Sequence, residues 1–381
     1  MKVIGRYKLI ILIFAFSFLF TGLIYPQQRY FDIAEQDCDS IRLTIFYPSM
    51  GSIKALINLR EIGFLQLENL LVIGVYHEKE RTNYQKSIDF AINDSLDWLK
   101  FHQIDGELNK EILFQKNELT DDFENIFKKS DGIIFFGGAD IPPYIYQAKT
   151  NLLTHIETPF RSFLEISFVF HLLGGNQDKS FTPLLDSASQ FPILGICLGC
   201  QSLNVGTGGT LIQDIWQKKY KKKTLEDVLS LGKDQWHTNP YRRLFPEEGL
   251  ISYNMHPIKL FEKGKFVKEL GINKNDRPFI ISAHHQTPGK LGKGMKVIAT
   301  SLDGKVIEAL EHEKYPNVLG VQFHPEFPIL YDRGSTFRFT PQDKKAISLM
   351  EILENNPPSY PFHQKIWEWF AGKLQEYRNR K

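Results

Sequence analysis

The stretch Phe191-Pro-Ile-Leu-Gly-Ile-Cys-Leu-Gly-Cys-Gln201 leaves few folds open to this chain. A short apolar run with the character of a buried strand passes into Gly-x-Cys-x-Gly and then into a helical pattern. That is the layout of a nucleophile elbow, in which a sharp strand-to-helix turn holds one reactive side chain. Gly195 and Gly199 free the backbone to make the turn. The helix that follows points its N-terminal N–H groups and dipole at the Cys197 sulfur, which favours thiolate over thiol.

A nucleophile of this kind needs a base, and Val318-Leu-Gly-Val-Gln-Phe-His324-Pro-Glu326 supplies one. It reads as an apolar strand ending in a histidine, with Pro325 stopping the ladder. A carboxylate at Glu326 can accept the second imidazole N–H, fix the tautomer and stabilise the imidazolium. Cys197, His324 and Glu326 are therefore the expected catalytic residues.

Four blocks of sequence surround these groups, in the order Asp131-Gly-Ile-Ile-Phe-Phe-Gly137-Gly138-Ala-Asp140-Ile-Pro-Pro; the elbow, running on to Gly208-Gly209-Thr210-Leu-Ile-Gln-Asp214; Ser282-Ala-His284-His285-Gln286; and Asp303-Gly-Lys-Val-Ile-Glu308-Ala309 before the His-Pro-Glu. With them the chain resembles the class I glutamine amidotransferase-like superfamily, and within it the branch of γ-glutamyl-γ-aminobutyrate hydrolases and related γ-glutamyl hydrolases. The resemblance implies an α/β fold with a doubly wound, mostly parallel sheet flanked by helices. It implies hydrolysis of a γ-glutamyl amide or peptide bond through a thioester on Cys197. The oxyanion donors would be the backbone N–H groups of Leu198 and Gly138, and no cofactor is called for. Gly137, Gln201, Ser282, His284 and His285 are the substrate-binding candidates that it adds. That branch usually carries Arg directly after the nucleophile, where this chain has Leu198, so any contact from that side chain to substrate or carboxylate is lost.

Other readings of the same residues carry less. Cys197-Leu-Gly-Cys200 has the spacing of a redox pair, yet Cys200 reads best as a small buried residue on the elbow helix. No metal is expected at His284-His285, which reads as a site-lining loop, and His237 and His256 receive no role. The stretch from Thr150 to Gln190 reads as a long, irregular insertion.

Composition and charge set the remaining bounds. A formal charge of +2 argues against a polyanionic partner. The cluster Lys218-Lys-Tyr-Lys-Lys-Lys223 is followed by Glu226 and Asp227 and reads as a solvated face, so no nucleic acid is expected. Lys2, Arg6 and Lys8 precede an apolar run from Leu9 to Tyr25, the pattern of an export signal or an uncleaved anchor over residues 1–27. The membrane would be met through that segment alone.

Residues 40–345 are read as the hydrolase domain and 346–381 as a C-terminal helical extension packed on it. Strands are expected at Ile41–Tyr47, Leu70–Tyr76, Gly132–Phe136 and Ile193–Ile196, with helices at Ile53–Phe64 and Tyr84–Phe101. The βαβα order puts the site at the carboxyl ends of the strands. Two functional classes follow: an exported cysteine hydrolase acting on a small γ-glutamyl substrate, or a binding or scaffold protein that keeps the fold with little turnover.

Overall fold

The computed structural model describes residues 29–33, 39–273 and 275–381. The basic and apolar leader lies outside the described residues.

Among the described residues the strands that frame the site are β1 (Ile41–Phe46), β2 (Leu70–His77), β3 (Leu99–Ile104), β4 (Gly132–Phe135), β5 (Ile193–Ile196), β6 (Leu211–Ile212), β7 (Asn254–Leu260), β8 (Phe279–Ser282), β9 (Thr287–Pro288), β10 (Met295–Ser301), β11 (Ile307–His312) and β12 (Val318–Val321), and a short ribbon of Thr336–Phe337 with Ile347–Ser348 follows them. Ten of them form one sheet in the order β3-β2-β1-β4-β5-β12-β11-β10-β7-β8, and β6 pairs with β9 in a separate ribbon. From β3 to β12 every pairing is parallel. From β12 to β8 every pairing is antiparallel. The sheet is thus doubly wound and mostly parallel, with an antiparallel wing on one side.

Alternation along the parallel strands feeds two cores. Ile134, Leu194, Ile196 and Val321 pack on one face; Ile133, Phe135, Ile193 and Val318 pack on the other. Strands buried on both faces show as unbroken apolar runs, which is why these were readable in the sequence. The first face is covered by α1 (Met50–Glu61) and by the C-terminal helix Ser359–Arg380, through Ile366, Trp367, Phe370 and Leu374. The second is covered by α3 (Thr120–Lys129) and α4 (Pro159–Leu173).

Two expectations need correction. The segment Tyr84–Phe101 is not one helix. The helix α2 (Gln85–Asn93) stops there because Ser95 takes φ +51°, and Leu99 already opens β3. The apolar stripe continued across the break by coincidence, with Leu99 and Phe101 alternating around exposed Lys100. The supposed irregular insertion holds α4, begun by Pro159 in its first turn and buried along most of its length.

Candidate active site

Cys197 stands at the carboxyl end of β5 and caps the helix α5 (Leu198–Gly206), at φ +52° and ψ −102°. An L-residue at positive φ is strained, and strain persists only where the surroundings over-determine it. Here the close approach of α5 to the sheet does so. A β-carbon on Gly199 would lie 2.1 Å from the Phe135 carbonyl oxygen, and one on Gly195 would lie 2.6 Å from that of Gly199. Only glycine lets helix and strand meet this closely, and the turn that joins them lifts Cys197 to the cleft.

Parallel pairing of β5 with β12 brings the base alongside. Ile196 is opposite Val321, so the residues just past both strands share the same sheet end. Gly137, just past β4, shows how near they are: a β-carbon there would lie 2.8 Å from His324 Cε1 and 3.4 Å from Cys197 Cβ. His324 Nδ1 is 2.7 Å from Glu326 Oε1, which leaves Nε2 for proton transfer. Its ring also stacks on Phe327, with centroids 4.1 Å apart. Burial works against charge on the imidazole. The Glu326 carboxylate, the Cys197 sulfur and hydrogen bonds to both outweigh it and push His324 up to about 10.

The C-terminal helix takes part in holding this turn. Trp367 Nε1 donates to the Pro325 carbonyl at 3.1 Å, and the Tyr331 hydroxyl donates to the same oxygen. The residue between base and carboxylate is thereby fixed from behind.

One important residue escaped the sequence reading. Arg161, on α4, is buried; it donates from Nη2 to the Phe136 carbonyl at 2.7 Å and from Nη1 to that of Gly137 at 3.0 Å. In a trans peptide the N–H points opposite the C=O. Turning these carbonyls toward the guanidinium therefore turns the Gly137 and Gly138 N–H groups away from it, and both glycines line the cleft. A β-carbon on Gly138 would sit 1.8 Å from Arg161 Nη1. Arg161 Nε donates to Glu165 Oε1 at 2.7 Å, whose other oxygen accepts from the Ser202 hydroxyl on α5 at 3.1 Å. The guanidinium–carboxylate pair that Leu198 cannot provide is present at the elbow, built from α4 instead. A buried arginine carries no periodic signal; Arg161 and Glu165 one helical turn apart were the only clue.

The cleft around Cys197 has a volume of ≈ 430 Å³ and is lined by Tyr47, Gly137, Gly138, Tyr253, His324 and Phe327 among others. Leu198 is buried, and as the first residue of α5 its N–H has no acceptor within the helix. Gln201, Ser282 and His284 do not line the cleft. Gln201 is buried with Nε2 3.4 Å from Gln322 Oε1, and the Ser282 hydroxyl donates to the His237 carbonyl at 2.8 Å. His284 is turned toward Glu308. His285 lines an adjoining hollow that shares Tyr253 and Ala283 with the cleft. Burial lowers its basicity, but hydrogen bonds to Asp140 and Asp214 prevail and push it up to about 9.

Comparison with known proteins agrees with this architecture. The Peptidase C26 family matches residues 72–326, a span from β2 to Glu326. The chain belongs to the Peptidase C26 family. It lies within the class I glutamine amidotransferase-like superfamily and has the fold of a cysteine-type amidohydrolase. The glutamine amidotransferase-like protein YvdE of Lactococcus lactis subsp. lactis is 29% identical over 226 residues, covering 59% of this chain and 78% of that protein. A glutamine amidotransferase-like protein of Rickettsia prowazekii is 29% identical over 233 residues, 56% of this chain and 76% of its own length. The CTP synthase of Prochlorococcus marinus strain AS9601 is 27% identical over 154 residues, 36% of this chain and 26% of that enzyme. Members of the family are hydrolases or amidotransferase-like enzymes acting on amides.

Proposed function

We propose that this chain hydrolyses γ-glutamyl amide or peptide bonds with Cys197 as nucleophile, His324 as acid and base, and Glu326 as the group that orients the imidazole. The observation that carries the reading is the convergence on Gly137 of Cys197 and of a His324 already bonded to Glu326. Cys197 attacks the side-chain carbonyl of the γ-glutamyl group. The tetrahedral oxyanion meets the N–H of Leu198 at the start of α5 and that of Gly138. His324 gives its proton to the departing amine, leaving an acyl thioester. It then takes a proton from water, which attacks the thioester and frees Cys197. Arg161 is a positioning residue: it sets the two peptide planes that carry the glycine donors.

The leader, with its basic start and apolar run, supports an enzyme working outside the cytoplasm, and cell fractionation with an antibody to the chain tests that part. The chemistry is tested by release of aniline from a γ-glutamyl anilide, with the α-glutamyl isomer as control. The wild type is expected to release it from the γ-isomer and the Cys197→Ala variant to release none. Equal cleavage of both isomers would contradict the γ-glutamyl assignment, and undiminished release by the variant would remove the nucleophile.

A further inference from the structure

The antiparallel wing contains a second histidine–glutamate assembly that the catalytic reading leaves unused. Glu308, on β11, is fully buried, and neither of its oxygens has a hydrogen-bond partner. Three buried imidazoles from separate segments face it. His237 Nδ1 is 3.3 Å from Oε1, His284 Nε2 is 3.6 Å from Oε2, and His256 Nε2 is 3.9 Å from Oε1. Each of those three nitrogens is buried without a hydrogen-bond partner as well. Leaving so many polar atoms dry and unpaired is costly, and a buried carboxylate needs a counter-charge. Among the described residues no lysine or arginine lies within salt-bridge distance of Glu308.

The tautomers sharpen the problem. His284 Nδ1 is 2.8 Å from the Gln286 carbonyl and His256 Nδ1 is 3.2 Å from that of Pro257. A carbonyl only accepts, so each Nδ1 is committed to its carbonyl and only the Nε2 of each ring faces the carboxylate. Two ring nitrogens turned toward a carboxylate in this way make a ligand set for a cation. Backbone carbonyls bonded to the remote ring nitrogen are also how metal-ligating histidines are commonly oriented.

We propose that His237, His284 and Glu308 bind a divalent transition-metal ion of the zinc class. The dimensions suit one. Tetrahedral zinc with bonds near 2.0–2.1 Å sets its donors roughly 3.3 Å apart. The ligand atoms of His237, His284 and Glu308 all lie within 4.8 Å of one another, and the His237 and His284 rings are tilted by 50° with centroids 5.0 Å apart. Imidazoles with one carboxylate favour zinc over magnesium or calcium, which take oxygen donors. A second acid–histidine group, Asp32, His102 and Asp122, has no such claim, because Arg29 already pairs with both carboxylates and His102 Nδ1 accepts from the Phe31 N–H.

An ion here would tie together the loop bearing His237, the turn after β8, and β11. That frame reaches the catalytic base: the His324 N–H donates to the Ile281 carbonyl on β8, and the Gln322 N–H donates to the Glu308 carbonyl. None of the three donors lines the cleft. The assignment is therefore structural, and it stands whether or not the γ-glutamyl reading does.

The test uses the full chain, stripped with a chelator and then titrated with Zn²⁺ or Co²⁺ alone. Metal analysis is expected to give about one ion per chain, with Co²⁺ showing the intense visible band of a tetrahedral site. Glu308→Gln and His284→Gln are each expected to weaken binding by roughly 10–100-fold or more, while Cys197→Ala binds as the wild type does. X-ray absorption of the zinc-loaded wild type decides the matter even where a variant fails to fold: imidazole scattering and no sulfur shell are expected. Absence of stoichiometric binding by the wild type, a sulfur ligand, or undiminished binding by both variants would overturn the assignment.

Discussion

The molecule holds two buried histidine–glutamate assemblies, and their differences set the proposed proton-transfer site apart from the proposed ion site. His324 and Glu326 share one short hydrogen bond at the edge of a cleft, beside a sulfur. Glu308 faces three imidazoles at 3.3–3.9 Å with no hydrogen bond to any of them, closed off from the cleft. The first arrangement directs one proton along one line. The second gathers three imidazoles around one carboxylate. Burial of a histidine beside a carboxylate thus says little about chemistry until hydrogen-bond direction and access are known.

The largest effect that would break this contrast concerns the sulfur. Cys197→Ala should lower amide hydrolysis by on the order of 10⁴-fold or more, measured by aniline release. Glu326→Gln should come next, at about 10²–10⁴-fold in kcat, since the amide holds the wrong tautomer of His324. Glu308→Gln should not reproduce that loss; an equal loss would mean that the two assemblies work as one.

Arg161→Met should cost about 10²-fold in kcat with KM little changed, as expected when oxyanion donors are misaligned. Partial recovery in Arg161→Lys, and unchanged alkylation of Cys197 by a glutamine-like chloroketone, would separate positioning from gross damage.

The pH dependence of stability gives a smaller and quite different handle. His324 is pushed up to about 10 from its ordinary 6.5. The folded state therefore binds this proton more tightly than the unfolded chain does. The resulting stabilisation is complete below pH ~6.5 and fades as pH rises toward the folded value. Urea denaturation between pH 6 and 10 should show that decline in the wild type and a shallower one in Glu326→Gln. Identical slopes would contradict the imidazolium–carboxylate pair. The smallest change expected is from Trp367→Phe, which removes the donor to Pro325 and should cost about 1 kcal/mol, with a few-fold loss in kcat.

The two assemblies also differed in how visible they were. Each member of the first sits at the end of an apolar strand, and the periodicity change at Cys197 and the proline after His324 mark the ends. Burial on both faces made β1, β2, β4, β5 and β12 stand out as apolar runs. The wing was harder to read. Its strand β7, Asn-Met-His-Pro-Ile-Lys-Leu, and β11, Ile-Glu-Ala-Leu-Glu-His, interrupt their apolar residues with groups that look solvated. His256 and Glu308 are both buried and come within 3.9 Å of each other across the fold. Contacts among residues 237, 256, 284 and 308 belong to tertiary structure and leave no spacing rule in the chain. Arg161 was hidden for the same reason: its partners are the carbonyls of Phe136 and Gly137, whose orientation no sequence pattern records.

Everything about the cleft rests on the Cys197 sulfur accepting the acyl group. Rapid mixing of the protein with a γ-glutamyl anilide, acid quench and peptide mass mapping reads this directly. We expect a transient glutamyl adduct on the peptide carrying Cys197, formed as aniline is released and lost on hydrolysis. Aniline release with the adduct on another residue, or with none in Glu326→Gln and wild type alike while Cys197→Ala turns over normally, would contradict the account.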